Sequence, residues 1–515
     1  MILDRTWNKK ERKLTISYIN KLGKREFYTK YLAYMKTYEY DDNGNFETWD
    51  GKKCRQVYKD TSTYVPNEFD ILEYLYELPD DIKNKLYAQN FPKIYTFDIE
   101  TAYSNEFPYP DKAEFPVTAI SLVGPDMSCI VYGLNKMSDD SIAILRERYL
   151  KFIQDNEFAR TLMKTNNWKP KVLYQYFDSE EKMLKHWFTV IIPKIPVLCG
   201  WNCQSFDMNY LWNRIVRLFG KQQAYYMLRK SSPTGETKNW SWTEMDKSRH
   251  SIPAPVHSEI IDYMQVVEQY DYILRPYESY SLDWVSSHAV NAHKIKYEHS
   301  LQYLYEHDHE WYYYYNAIDS LLVLLIHYKL KPLESPCAVS SVTLVSLPNA
   351  FGQVALTTAN VFAEFYREGK KVVWDYDAID RHKKDYKGAF TGCNPGKYTW
   401  NCCFDFASLY PSQIQTCNLS MENFMEKKIG PDSLGRYTVI PWSEEELEKY
   451  RKDPNYFVTV MGHVYKNDKD YCFKIVQRDI KKKRDKYKYT GQRIESELLT
   501  AIDERIAQLE KNKSE

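Results

Sequence analysis

Net charge is the first thing this 515-residue sequence lacks. Lys and Arg number 70 and Asp and Glu number 70, so no global positive field marks a polyanionic partner, and any basic surface must be local. No apolar run approaches the ~18–20 residues needed to span a bilayer, and the first residues, MILDRTWNKKERK, lack the apolar core of a signal peptide. A soluble cytosolic protein with no membrane partner is expected. The ten cysteines contain no C-x-x-C, the closest groupings being Cys199 with Cys203 and Cys402 next to Cys403, which argues against a zinc site or a disulfide framework. Buried thiols in a reducing compartment are expected instead. Internal repeats and low-complexity tracts are absent, and glycine is sparse at 17 residues. What is abundant is tyrosine, at 46 residues, in a chain of 61.4 kDa that is too long for one core.

Residues 1 to about 93 mix short alternating segments (KLTISYI, KREFYTKYLAYMK) with the polar turn Asp41-Asp42-Asn43-Gly44-Asn45, which predicts a hairpin connection in a separate α+β unit. From Lys93 the pattern changes. KIYTFDIET, a hairpin-like TAISLVG and SCIVYGL, PVLCGWN and the helical FDMNYLWNRIVRLFG predict a mixed sheet flanked by helices. EWYYYYNAIDSLLVLLIHYKL closes this region as a largely buried helix. Pro332, Pro336 and Pro348 then interrupt the pattern before a helix resumes, predicting a connector that packs back on the first domain. Near the end of the sequence Ile494, Leu498, Ile502, Ile506 and Leu509 form an apolar helical stripe.

The candidate chemistry starts in KIYTFDIET. A strand period of two puts Asp98 and Glu100 on one face and Phe97 and Ile99 on the other. Two acids that close are costly without a cation between them, and hard oxygen ligands point to Mg²⁺ or Mn²⁺. The same D-x-E at Asp178-Glu180 and Asp308-Glu310 reads as solvated acids. In GWNCQSFD a strand ends at Asn202 and Asp207 opens a helix, with Ser205 as the expected N-cap. In YNAID, Tyr315 and Asp319 lie four apart on one helical face. Singly, Asp207 reads as a helix-start acid and Tyr315 as a core aromatic; their order after the D-x-E is what singles them out.

D-I-E, G-W-N-x-x-x-F-D and Y-N-x-I-D resemble the three exonuclease motifs of DnaQ-like 3′–5′ proofreading domains, in the version found in family B DNA polymerases. The resemblance implies that Asp98, Glu100, Asp207 and Asp319 hold two metal ions and that Tyr315 orients the attacking water. Further on, CCFDFASLYPSQIQ resembles the family's D-x-x-S-L-Y-P-S box. It implies metal binding by Asp405 and the carbonyl of Phe406, triphosphate contacts from the amides of Ser408 and Leu409, and a Tyr410 ring beneath the sugar. KIVQRDIKKKRDKYK, which alone reads as a solvated basic helix face, holds Arg484 and Lys488 at the R-x-x-x-K spacing of a fingers helix that grips incoming nucleotide. Tyr386 and Gly388 resemble a template-contacting Y-x-G segment, and Asn202 stands in the DNA-contacting part of the second exonuclease motif.

The resemblance covers essentially the whole chain and is nearest to T-even-phage-type replicative polymerases. It implies an α/β and α+β multidomain protein: an N-terminal domain of 1–94 completed by 330–372, an RNase-H-like exonuclease of 95–329, a partial palm of 373–470 and the first part of the fingers at 471–515. The family's K-x-x-x-N-S-x-Y-G helix and D-T-D segment are missing from the sequence. The expectation is therefore a split polymerase in the cytoplasm of an infected bacterium. Its substrates would be dNTPs, primer-template and single-stranded DNA, its partner a C-terminal fragment with motifs B and C, and its sliding-clamp contact would run through that fragment. A standalone exonuclease and a non-catalytic nucleic-acid-binding module are the alternatives.

Overall fold

The computed structural model describes the chain except residues 102–106, 244–247, 272, 275, 299, 374–391, 401, 403, 405–407, 426–428, 432–436, 440–441, 483–484 and 487–515. Two compact units emerge, Met1–Ala33 with Thr61–Val65 and Leu75–Leu356, and Tyr34–Asp60 with Pro66–Tyr74 and Thr357–Glu515. The first 94 residues are thus divided between the units. Strands β1 (Ile2–Asn8), β2 (Lys13–Ile19) and β3 (Arg25–Tyr31) form an antiparallel meander in the first unit. In the second, β4 (Tyr34–Tyr40) and β5 (Phe46–Glu47) flank β6 (Lys53–Asp60).

That order corrects the hairpin expected at 41–45. The turn joins β4 to β5, but both strands pair with β6 and not with each other. Gly44 makes this possible, because a Cβ there would lie 2.1 Å from the Cys54 carbonyl oxygen on β6. Also in the second unit, the Lys371 ammonium sits over the Tyr38 ring at 4.9 Å and pairs with Glu73 at 2.9 Å, while Trp49 stacks on Phe365 at 6.2 Å.

The first unit is built on a six-stranded mixed sheet. Its strands are β7 (Ile94–Thr101), β8 (Val117–Val123), β9 (Cys129–Gly133), β10 (Val172–Tyr176), β11 (Val197–Gly200) and, after a separate hairpin of β12 (Thr237–Thr243) and β13 (Arg249–Pro255), β14 (Glu259–Asp262). The order is β10-β9-β8-β7-β11-β14, with β7, β8 and β9 antiparallel neighbours and the other pairs parallel. Thr96 and Phe97 on β7 are buried on opposite faces, and the alternation is what delivers two cores. Phe97 and Ile99 enter one with Trp187, Leu198 and Met208. The other face lies beneath the helix His309–Leu330, whose residues from Tyr312 to Ile326 are all buried. A helix buried on every side can exist only where neighbours surround it.

Small polar side chains dock that helix onto the sheet. Thr96 Oγ1 donates to the Ser320 carbonyl at 2.7 Å, Ser121 Oγ donates to the Asn316 carbonyl at 2.8 Å, and the Ser121 and Ser320 hydroxyls meet at 2.7 Å. Asp308 caps the helix N-terminus by accepting the Trp311 amide, and Lys331 ends it in the left-handed region at φ 51°. The connector after it packs back on the N-terminal strands, with Ser340 Oγ donating to the Ile2 carbonyl at 3.0 Å. Pro336, expected to interrupt structure there, instead lies in the first turn of the helix Glu334–Thr343, where a missing N–H costs little. Nowhere among the described residues is a helix long and apolar enough to cross a membrane.

Candidate active site

The sheet and the buried helix meet at β7. Asp98 and Glu100 project from the strand face that the helix covers, and Asp319 projects from the helix. The carboxylate oxygens of the three lie within 4.8 Å of one another. Asp207 is not in this triad. It opens the helix Asp207–Phe219 beyond β11, and its Oδ1 accepts the Ile99 amide at 3.2 Å, which ties that helix to β7 between the two strand acids. The expected Ser205 cap is absent: Phe206 occupies the N-cap position without a side-chain cap bond. The turn ahead of it is held from β14. Asp262 accepts the Asn202, Gln204 and Met264 amides, each at 3.1 Å, and Asn202 takes a left-handed φ of 57°.

Crowding four acids under a helix has electrostatic consequences. Burial first, and then Glu100, Asp207 and Asp319, push the Asp98 carboxyl well above its usual range. Burial, with Asp319 next, lifts Glu100 to about 8, and burial lifts Asp207 to about 7. Asp319 is also raised by burial, against the pull of Lys294. Lys294, which no sequence motif marks, lies against the cluster. Its ammonium lies 2.7 Å from Asp319 Oδ2 and 5.2 Å from the centre of the Tyr315 ring. Burial works against its charge, but attraction from Asp319 and Asp98 outweighs it and raises its pKa. The same charge draws down all four acids.

Tyr315 is buried one helical turn before Asp319, with Tyr297 edge-on to its ring at 5.4 Å. Burial and then the charge of Asp319 push its phenol upward. A groove of about 630 Å³ runs past Asp98 and Asp319 along Trp201, Asn202, Tyr280 and Lys294. Trp201 Nε1 donates to the Tyr280 carbonyl at 3.0 Å and closes one wall. The residues present fit a hard divalent cation: three carboxylates converge, and Asp319 Oδ1 is buried with no hydrogen-bond partner among the described residues.

The second candidate cluster is only partly within reach. Ser408, at φ 55°, precedes the helix Leu409–Thr416, and Leu409 and Tyr410 are exposed. Asp405, Phe406, Arg484, Lys488, Tyr386 and Gly388, and the stripe from Ile494 to Leu509, lie outside the described residues.

The profile described as DNA polymerase family B, exonuclease domain, matches residues 52–285. The chain is 27% identical over 390 residues to a DNA-directed DNA polymerase of Escherichia phage RB69, covering 73% of this chain and 40% of that protein. It is 25% identical over 349 residues to the DNA-directed DNA polymerase of Enterobacteria phage T4, covering 65% of this chain and 36% of that one. A DNA polymerase 1 of Sulfolobus acidocaldarius is 26% identical over 352 residues, or 64% and 34% of the two chains. The matched stretch is thus two-fifths or less of these relatives' length. With an acid triad where a mixed sheet meets a buried helix, residues 52–285 are similar to the exonuclease domain of family B DNA polymerases.

Proposed function

We propose that this chain provides the 3′–5′ proofreading exonuclease of a replicative DNA polymerase, removing nucleotides from the 3′ end of single-stranded DNA. The convergence of Asp98, Glu100 and Asp319 within 4.8 Å, in a domain similar to family B exonucleases, carries this reading. Asp98, Glu100 and Asp319 would hold a divalent cation, and Asp207, across the Ile99 amide, would contribute to a second. Bound there, two such ions supply an activated water and stabilise the charge on the departing 3′-oxygen. Tyr315 holds the attacking water by its hydroxyl, and its raised pKa keeps it a hydrogen-bond donor at neutral pH. Lys294 balances the acids before cations arrive and faces the phosphate path afterwards. The groove wall from Trp201 through Asn202 seats the 3′-terminal nucleotides.

The test is digestion of a 5′-labelled single strand with Mg²⁺ or Mn²⁺. Asp98→Ala with Glu100→Ala should abolish digestion in a folded protein; a double variant as fast as wild type would show that the site lies elsewhere. The polymerase half belongs to the same proposal. Asp405 and the Ser408–Tyr410 turn supply one side of a nucleotidyl-transfer site, with palm at 373–470 and fingers from 471. Primer extension then needs a segment carrying motifs B and C, and Asp405→Ala should silence extension in an enzyme that has it while sparing the exonuclease.

A further inference from the structure

Asn316 sits inside the YNAID segment, between the aromatic and the acid to which the preceding reading gives roles. It is fully buried. Its backbone carbonyl is taken by Ser121 Oγ at 2.8 Å, so its place on the sheet is set without its side chain. The side-chain Nδ2 donates to Asp98 Oδ2 at 2.9 Å, across 218 residues of sequence, and its Oδ1 is buried with no partner among the described residues. A half-satisfied amide in a core costs stability, so an apolar side chain of the same volume would serve packing better. What the amide does that Leu would not is donate to one oxygen of a carboxylate and leave the other free.

We propose that Asn316 is a positioning residue: its amide fixes Asp98 so that one carboxylate oxygen is held by the protein and the other is presented to the cation. The inference rests on the metal site proposed above and adds the orienting residue. Carboxylates that ligate metals are themselves held by hydrogen bonds, and loss of such a partner lowers metal affinity or activity by about 10–100-fold. Asn316 does not touch substrate and acts only through Asp98.

The experiment measures Mn²⁺ binding to the full chain by electron paramagnetic resonance of the free ion. Wild type is compared with Asn316→Leu, Asp98→Ala and Ser121→Ala, alongside melting temperatures in EDTA. Asn316→Leu should raise the Mn²⁺ dissociation constant about 10–100-fold. The Mn²⁺ needed for half-maximal exonuclease rate should rise in parallel, with kcat largely recovered at saturating Mn²⁺. Ser121→Ala, which loosens the docking of the same helix turn, should lower the melting temperature and leave Mn²⁺ affinity near wild type. If Asn316→Leu fails to fold, Asn316→Ala removes the amide without adding bulk and gives the same comparison. Wild-type affinity in the Asn316 variant beside a defective Asp98→Ala overturns the role of Asn316 alone. Equal losses in the Asn316 and Ser121 variants assign the effect to helix docking and also overturn it. A wild type that binds Mn²⁺ no better than Asp98→Ala removes the metal site and this inference together.

Discussion

Replacing Lys294 by Met tests whether the acid cluster is balanced in the resting state by a side chain of the protein itself. The ammonium is 2.7 Å from Asp319 Oδ2, with the lysine side chain 34% exposed and the aspartate 4%. Fully buried pairs cost about 3–5 kcal/mol when one partner is removed, and exposed pairs about 0–1. With one partner buried and the other one-third exposed, about 2 kcal/mol is expected. Methionine keeps most of the packing on Tyr315, so the loss should be mainly electrostatic. In a unit of this size about 2 kcal/mol lowers the melting temperature by about 3–6 °C. The dependence on conditions matters more than the size. At pH 8 in EDTA the acids have lost the ammonium that pairs with Asp319, and the full loss should appear. At pH 5 protons neutralise Glu100 and Asp207, and with Mn²⁺ the cation balances the cluster, so in both cases the difference from wild type should shrink. Differential scanning calorimetry in EDTA and in Mn²⁺ at the two pH values measures all four quantities. A loss that is the same in all four conditions would mean that Lys294 is a packing residue and that the electrostatic account is wrong.

Wild type should show the companion pH effect. Glu100 and Asp207 are raised from 4.5 and 3.8 to about 8 and about 7, so their contribution to metal-free stability is present below the ordinary carboxylate range and lost as pH rises through those values. The melting temperature in EDTA should fall from pH 5 to 8.5; with Mn²⁺, which needs ionised ligands, affinity should rise over the same range with release of protons, read by calorimetry in two buffers. Arg214→Met should cost about 3–5 kcal/mol in urea unfolding, because Arg214 Nε and Nη2 grip Glu180 at 2.9 and 2.8 Å with both side chains buried. Asp262→Ala strands the Asn202 and Gln204 amides in the turn before Asp207 and the Met264 amide in the helix Tyr263–Tyr270, and should slow the exonuclease while costing about 1–3 kcal/mol for each amide that finds no water. Wild-type exonuclease rate in that variant would separate the turn from the chemistry.

Legibility in the sequence followed the range of the interaction. The strand period of β7 is local, so the convergence of Asp98 and Glu100 could be read from eight residues, and the length and largely apolar content of the run from Tyr312 onward point to a helix surrounded by core. Partner choice is not local. Turn chemistry at 41–45 predicted a reversal, which occurs, but nothing in those residues says that β6 will enter between the strands they join. Asp207 lies outside the compact triad for a related reason: motif order brings it to β7, but its Oδ1 is engaged there by the Ile99 amide. The missed residue, Lys294, had a signal of a different kind. Four acids brought under one helix require a cation when no metal is bound, and the sequence just ahead of that helix offers Lys294 and Lys296 in HKIKY. Charge balance demands one such lysine but cannot choose between two that are two residues apart. Only the path of the loop from the helix Leu282–Val290, where Asp283 Oδ1 accepts the Lys294 amide at 2.8 Å, turns the first of them toward Asp319. A cluster of like charges therefore predicts the existence of its counter-charge from composition alone, and backbone hydrogen bonds remote from the cluster determine which residue supplies it.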